Sequence, residues 1–566
     1  MPGFFITNTK SAPELCNYCN SNCIQGHMQC QQWNIQWNVL NKYMDDKIFA
    51  DTGEAVILLD GVILNKNELM TEYGEDTWLK TVISMLRSAK TWFEQLRGVF
   101  SGAVYDKAGK QWTCFTDQCG EHLLMTYSRD GNVAIGSQVN YFSDWMKANN
   151  IERHIDKEWE QDIISSGYMR ESYSVISGVR RIYPGHYCEI ADSSPDISEY
   201  KYYMVTKADK VSMSDSELID RLDELFHNAV RRILEKDREY GYSTIVDISG
   251  GLDSRMNAAV AKQEDCSRIL GVTYAQSGSP DHLIAHNVAS TLGVENIFYP
   301  MDGGSFLEEI DDLVFMNGGF NYYFGITAGK RVLELLDTDN IGSEIWGLLG
   351  DIYEGAMISE NWSVIDWSMS RYLLSRRYAS HGAPEKTHEF EDNELLWFYV
   401  RGMLAGMNTG LIRQNYIEPL TPYGDVEFMN FCFSIPFEKR VDDHIYRKWM
   451  IEKYPDMAKI VYSRTGVPVM SDKSESLHTL PIRIRKKLQR KISGEKKEWY
   501  MNPFDFWYKE NDRLSKTVES YYDSNRNAVD SDPEFSEKIS DLFQNGNTLE
   551  KLLAVSILSS VKQFIN

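Results

Sequence analysis

Short apolar runs, some of them alternating with polar residues at a period of two, fill the first third of the chain and predict strands. Phe4 to Thr7, the series Trp33, Ile35, Trp37, Val39, then Ala55 to Leu59, Gly102 to Tyr105, Gln111 to Thr116 and Val133 to Gly136 all read this way. The turn-forming stretch Asp192, Ser193, Ser194, Pro195 predicts a loop near the end of this half. After Ser214 the period lengthens, with Leu218, Leu222, Leu225 and Phe226 opening an amphipathic helix. Strand-like segments return at Thr244 to Ile248, Ile269 to Thr273 and Ile345 to Leu348, separated by helical stretches. That rhythm implies a parallel sheet with crossover helices. The expected fold class is therefore α/β and α+β multidomain, with packed β-sheets first and a doubly wound parallel sheet after a boundary near 205.

A chain of 566 residues is too long for one core. The expected division is 1–205, 206–480 and a helical extension 481–566 that carries a basic segment. Within 483–497 stand Arg483, Arg485, Lys486, Lys487, Arg490, Lys491, Lys496 and Lys497 against Glu495, read as a solvated helix face or as an anion-facing patch. The net charge of −23 argues against general nucleic-acid binding. No run approaches the length of a membrane span, and the first residues show no export signal, so a cytoplasmic location is expected. A homodimer is left open. Cys16, Cys19, Cys23 and Cys30 crowd together near His27. They are candidates for a structural Zn²⁺ site, for shielded free thiols, or for a disulfide or cluster.

Between the apolar run Ser243 to Ile248 and the helix-like run Arg255 to Lys262 lies Ser249-Gly250-Gly251-Leu252-Asp253-Ser254. Two glycines let the backbone turn tightly and present N–H groups, the serines add hydroxyl donors, and the following helix offers its positive end, the layout of a pyrophosphate-binding loop. Asp253 is suited to Mg²⁺, which takes one or two carboxylates together with phosphate oxygens. In a doubly wound sheet ligands bind beyond the carboxyl ends of the strands. Two further strand ends are rich in loop chemistry: Gly271-Val272-Thr273 and Gly347-Leu348-Leu349-Gly350-Asp351. Asp351 is expected to face Asp253 and complete a carboxylate pair, its alternative role being a helix N-cap.

With both halves laid out, the chain resembles the asparagine synthetase B-like family, in which a glutaminase-type domain of Ntn-hydrolase-like packed sheets precedes an ATP-pyrophosphatase (adenine nucleotide α-hydrolase-like) domain. The likeness shows in the hexapeptide, in Ile182-Tyr183-Pro184-Gly185-His186, in Asp60-Gly61-Val62 and Thr116-Asp117-Gln118-Cys119-Gly120, in Ser279-Pro280-Asp281, and in Pro419-Leu420-Thr421-Pro422. It implies an ATP-dependent, AMP-forming ligase: a substrate carboxylate is adenylated in the presence of Mg²⁺ and captured by ammonia or an amine. On this resemblance Ser249, Gly250, Gly251, Asp253 and Ser254 hold pyrophosphate and metal, Ile248, Val272 and Gly347 line the adenosine pocket, and Asp351 holds the second metal face.

Three positions depart from the family pattern. Pro2 stands where the glutaminase has its nucleophilic cysteine, so no glutamine hydrolysis is expected. Leu348 replaces the first acid of the family's Gly-Glu-Gly-Ser-Asp-Glu loop, so a base must come from elsewhere, for example Glu344 or Glu354. Arg464 stands in the loop that ordinarily supplies a catalytic lysine. The alternative expectation is a degenerate homologue that binds nucleotide or a partner without turnover.

Overall fold

The computed structural model describes residues 2–15, 22–207, 210–264, 269–325, 329–350, 373–379, 390, 392–470 and 501–566. Asp351, Glu354, Cys16, Cys19 and the basic segment 483–497 lie outside the described residues.

The first half is built from strands β1 (Gly3–Thr7), β2 (Cys23–Cys30), β3 (Trp33–Leu40), β4 (Ile48–Asp51), β5 (Ala55–Ile63), β6 (Gly98–Asp106), β7 (Gln111–Thr116), β8 (Met125–Arg129), β9 (Asn132–Gly136), β10 (Arg180–Arg181), β11 (His186–Ala191) and β12 (Ser194–Lys201). They form two six-stranded sheets, ordered β10-β8-β9-β1-β3-β2 and β12-β11-β7-β6-β5-β4, antiparallel throughout. Alternation along each strand sends successive side chains to opposite faces. Phe4 and Ile6 of β1 enter the core between the sheets with Val56, Leu58, Ala103 and Trp112. Phe5 points the other way, into the layer with Tyr141, Phe142 and Trp145. Ile57 and Leu59 of β5 likewise face outward against Leu69, Trp78, Val82 and Met85. Helices α1 (Lys66–Tyr73) and α2 (Trp78–Ser88) thus cover the second sheet, and α3 (Val139–Ala148) and α4 (Lys157–Ser166) share the core outside the first.

Two expectations change here. The loop at 192–195 is shorter than its composition suggests, because Ser194 already begins β12, which pairs back on β11. The cysteine cluster cannot close a four-thiolate zinc site: Cys23 and Cys30 sit at opposite ends of β2, roughly 23 Å apart at the rise of an extended strand. Cys30 is a buried free thiol, and burial raises its pKa, which disfavours the thiolate a metal needs.

Helix α5 (Asp215–Tyr240) opens the second half with a capping box between Ser214 and Glu217. Strands β13 (Ser243–Asp247), β14 (Ile269–Ala275), β15 (Asn296–Pro300), β16 (Ile341–Ile345) and β17 (Glu418–Leu420) then form a sheet ordered β15-β14-β13-β16-β17. Every pairing in it is parallel. Helices α6 (Asp253–Glu264) and α7 (Pro280–Leu292) follow β13 and β14. The order reverses at β13, so the crevice between the ends of β13 and β16 is the switch point where such sheets bind ligands. The expected doubly wound sheet is present. Strand β16 ends at Ile345, three residues before the expected Leu348, because the chain turns there and Leu349 takes a left-handed conformation, φ 72°. The helices at the C-terminus, Phe504–Glu510, Asp512–Asn525, Pro533–Asn545 and Thr548–Phe564, bury Trp507, Leu514, Phe535, Leu552 and Val555 in the same core as the α3 and α4 residues Trp145 and Trp159.

Candidate active site

Beyond the ends of β13, β14 and β16 lies a cavity of about 440 Å³, lined by Asp247, Ile248, Ser249, Gly251, Asp253, Ser254, Val272, Tyr274, Asp281, Gly347, Leu348 and Arg413 among others. That volume suits a small molecule. All three strand ends singled out in the sequence therefore meet at one place.

The Ser249 loop is held in shape by its own hydroxyls. Ser249 Oγ lies 2.8 Å from Ser254 Oγ and accepts from the Gly251 N–H at 3.2 Å, while the Ser249 N–H donates to Ser254 Oγ at 3.1 Å. The Gly250 N–H donates to Asp281 Oδ1 at 3.2 Å. A Cβ at Gly250 would stand 2.7 Å from Ser463 Cβ and 2.9 Å from Asp281 Oδ1, so only glycine lets the loop pass between them. Neighbouring β14 fastens the strand end: the Thr273 hydroxyl donates to the Ile248 carbonyl at 2.8 Å.

Asp253 opens α6 and packs under the 347–350 turn. Cβ atoms at Gly347 and Gly350 would lie 2.8 Å from Asp253 Cβ and 2.4 Å from Asp253 Cγ. The two glycines thus allow the turn to close over the carboxylate. The turn is pinned from the residue that follows β17, where Thr421 Oγ1 donates to the Leu348 carbonyl at 2.7 Å. Leu348 lines the cavity where the family pattern has an acid.

The segment after residue 457 is tied to the loop by Arg255, which is fully buried. Its guanidinium donates to the carbonyls of Met457, Ile460 and Val461 at 2.9, 3.0 and 2.9 Å. Arg464, on that segment, is 53% exposed and stands 3.7 Å from Asp443, apart from the residues that line the cavity.

Other residues of the cavity were not singled out from sequence. Arg413 is 5% exposed; its Nε lies 2.7 Å from Glu344 Oε2 and its Nη2 donates to the Tyr274 hydroxyl at 2.6 Å. Asp247 Oδ2 accepts from that same hydroxyl at 3.4 Å. A carboxylate inside the run Ser243 to Ile248 was the available signal for Asp247. Arg413 lies far along the chain from the strands it serves and gave none.

A second, much smaller cavity of about 20 Å³ adjoins Pro2, with Lys47, Asp60, Ser101, His122, Gln414 and Glu418 in its wall. Lys47 and Asp60 pair at 2.7 Å, and His122 Nε2 meets Glu418 Oε2 at 3.0 Å. Among the described residues no group of three or more His, Cys, Asp or Glu is gathered as a metal site.

Comparison with known proteins finds two domain matches along the chain. Residues 42–203 match the glutamine amidotransferase domain family, and residues 221–322 match the asparagine synthase family. Asparagine synthetase [glutamine-hydrolyzing] 1 of Bacillus subtilis is 24% identical over 267 residues, 46% of this chain and 41% of the relative. A putative asparagine synthetase [glutamine-hydrolyzing] of Mycobacterium bovis is 23% identical over 224 residues, 39% of this chain and 34% of the relative. The chain thus aligns with less than half the length of these relatives. Among solved structures, a glutamine phosphoribosylpyrophosphate amidotransferase from B. subtilis, complexed with ADP and GMP, aligns with 53% of this chain and 81% of its own at 9% identity, with a TM-score of 0.24 that carries no argument. The two domain matches follow the order of the antiparallel sheets and the parallel sheet along the chain, and with the low-identity relatives they are consistent with a divergent asparagine synthetase-like protein.

Proposed function

We propose that the chain is an ATP-dependent ligase that adenylates a substrate carboxylate, releasing pyrophosphate, and joins the acyl group to ammonia or an amine without hydrolysing glutamine itself. The observation that carries this reading is the Ser249–Ser254 loop, held open by Asp281 at the switch point and facing a cavity of about 440 Å³. Ser249, Gly250, Gly251 and Ser254 are assigned to pyrophosphate, which would take over N–H and hydroxyl groups that otherwise bond within the loop and to Asp281. Ile248, Val272 and Gly347 line the same cavity and are assigned to adenosine.

Mg²⁺, carried with ATP, fits the site on one structural observation: the glycines at 347 and 350 bring the backbone onto Asp253. Asp253 would hold it, with Asp351, outside the described residues, as its partner. The ion would neutralise charge on the phosphates. Arg464 is the assigned cation for the departing pyrophosphate, on a segment that Arg255 fixes beside the loop.

Absence of glutaminase activity is supported by Pro2, which has no thiol, and by a neighbouring cavity of about 20 Å³, on the scale of a single water. The residue ranges 1–205, 206–480 and 481–566 remain the proposed units, and the cytoplasm the proposed location. Leu348 in the cavity wall favours a second reading, a nucleotide-binding homologue without turnover.

The test is release of AMP and pyrophosphate from Mg-ATP with aspartate, glutamate, glucuronate or an N-acetyl amino acid, with ammonium or glutamine as nitrogen source. Wild type is expected to release AMP in an acid-dependent way, with glutamine no better than buffer, and Asp253→Ala to release none. ATP binding without cleavage by wild type would favour the second reading instead.

A further inference from the structure

The reaction just proposed needs a proton acceptor for the attacking amine, and position 348 offers a hydrocarbon. Another carboxylate lines the same cavity. Asp247, at the end of β13, keeps 16% of its side-chain surface exposed and lines the space shared by Ser249 and Asp253. Its Oδ1 is buried and receives no hydrogen bond.

Among the described residues, three charged or titratable groups face it, each from a different element. Tyr274 of β14 donates to its Oδ2 at 3.4 Å. Glu344 of β16 is the neighbouring acid. Arg413, from the turn Arg413–Asn415, lies 3.9 Å from Asp247 Oδ2 and 2.7 Å from Glu344. Two carboxylates share one guanidinium, which leaves the cluster one negative charge in surplus when both are ionised. Burial first, then Glu344, hold the Asp247 carboxyl well above the usual carboxylate range, and Arg413 pulls it back. A carboxylate so placed is a stronger base than an exposed one. Glu344 is less suited to the role, because it is buried and engaged by Arg413.

We infer that Asp247 is the general base of this site, replacing the acid missing at position 348, and that Glu344 with Arg413 positions it. The inference rests on the ligase reading above. The amine nitrogen bonds to the acyl carbon, the acyl C–O bond to AMP breaks with its electron pair going to the phosphate oxygen, and the proton on nitrogen passes to Asp247. The surplus negative charge favours delivery of ammonium or a primary alkylammonium over a neutral or anionic donor. The accepting state is the ionised one, so capture of the amine rises with pH through the elevated pKa of Asp247 and fails below it.

The experiment compares wild type with Asp247→Asn in three assays, using aspartate, glutamate, glucuronate and an N-acetyl amino acid as carboxylate probes. Acid-dependent ATP–pyrophosphate exchange and hydroxamate formation with hydroxylamine, which is unprotonated at neutral pH and attacks without a base, are expected to persist in the variant. Amide formation from ammonium or methylamine is expected to fall at least about 100-fold, the scale of general-base catalysis. Infrared difference spectra of the substrate-free proteins are expected to show that the carboxyl lost in the variant titrates well above the ordinary carboxylate value of about 4.

Unimpaired amide formation by Asp247→Asn, a carboxyl titrating in the ordinary range, or loss of exchange and hydroxamate together with the amide would each overturn the inference while leaving the ligase reading standing. No exchange by wild type with any acid overturns the ligase reading, and the inference with it.

Discussion

At Gly350 a methyl group would press on Asp253 at 2.4 Å from Cγ, well inside van der Waals contact, and the turn is already committed by the left-handed Leu349 beside it. Gly350→Ala should therefore displace the Asp253 carboxylate rather than unfold the sheet. Acid-dependent ATP–pyrophosphate exchange is expected to drop at least about tenfold, which is 1.4 kcal/mol, with the thermal midpoint changed by only a few degrees. A large fall in the midpoint with exchange retained per folded molecule would contradict this. The loop residues themselves were legible, because glycine, serine and aspartate at fixed local spacing carry their geometry with them. Asp247 and Arg413 were not. Each owes its place to partners on other elements: Asp247 to Tyr274 and Glu344, Arg413 to strands separated from it by much of the chain.

Among elements, the short apolar runs of the first half translated directly into strands, continuous where both faces are buried as in β5 and alternating where one face is partly open as in β3. The failures came where one residue changes direction: Leu349 cuts β16 short, and the turn before Ser194 starts a strand inside a polar stretch. Two inter-element ties make predictions. Arg255 satisfies carbonyls of Met457, Ile460 and Val461 from inside α6. Arg255→Met would leave them without their charged donor in a buried setting, a cost of about 3 kcal/mol or more, readable in urea unfolding. The other tie joins the loop after β7 to β17 through His122 and Glu418. Burial lowers the imidazole pKa, but the Glu418 carboxylate outweighs it and the net shift is upward. A pKa raised on folding contributes stability that is full below the unfolded value of about 6.5 and lost as pH rises through the folded one. Stability should decline across that window in wild type, and His122→Gln should flatten the decline.

For the molecule as a whole, the two sheet systems are joined through buried charge. Asp46, between β3 and β4, receives Lys66 at 2.8 Å and Lys236 of α5 at 3.2 Å, together with the Tyr240 hydroxyl at 2.8 Å. Lys42 donates to the Ile341 carbonyl of β16 at 2.7 Å, and Arg181 to the Leu404 carbonyl at 3.1 Å. Tyr43 donates to the buried Asp237. The composition change near 205 marked where the texture of the chain changes, but such a junction has no local sequence signature, since each ion finds its partner across the boundary. Residues 206–566 produced alone would carry Asp237, Lys236 and Glu418 stripped of these partners. They are expected to be recovered as aggregate, and coexpression with residues 1–205 to restore material in solution. A monodisperse, cooperatively melting fragment would show that the junction is dispensable.

The Lys47–Asp60 pair beside Pro2 bears on how the proposed reaction is fed. A synthetase that generates its own ammonia ties the two halves of its cycle together, so nitrogen is liberated only when an activated acid awaits it. On the proposed reading, with no thiol at Pro2 and the ion pair in the wall of the small cavity beside it, nitrogen would arrive from outside by diffusion. Its external concentration then sets the contest between amide formation and hydrolysis of the activated acid. Turnover should accordingly divide into two streams, product and wasted ATP, whose ratio rises in proportion to the amine supplied.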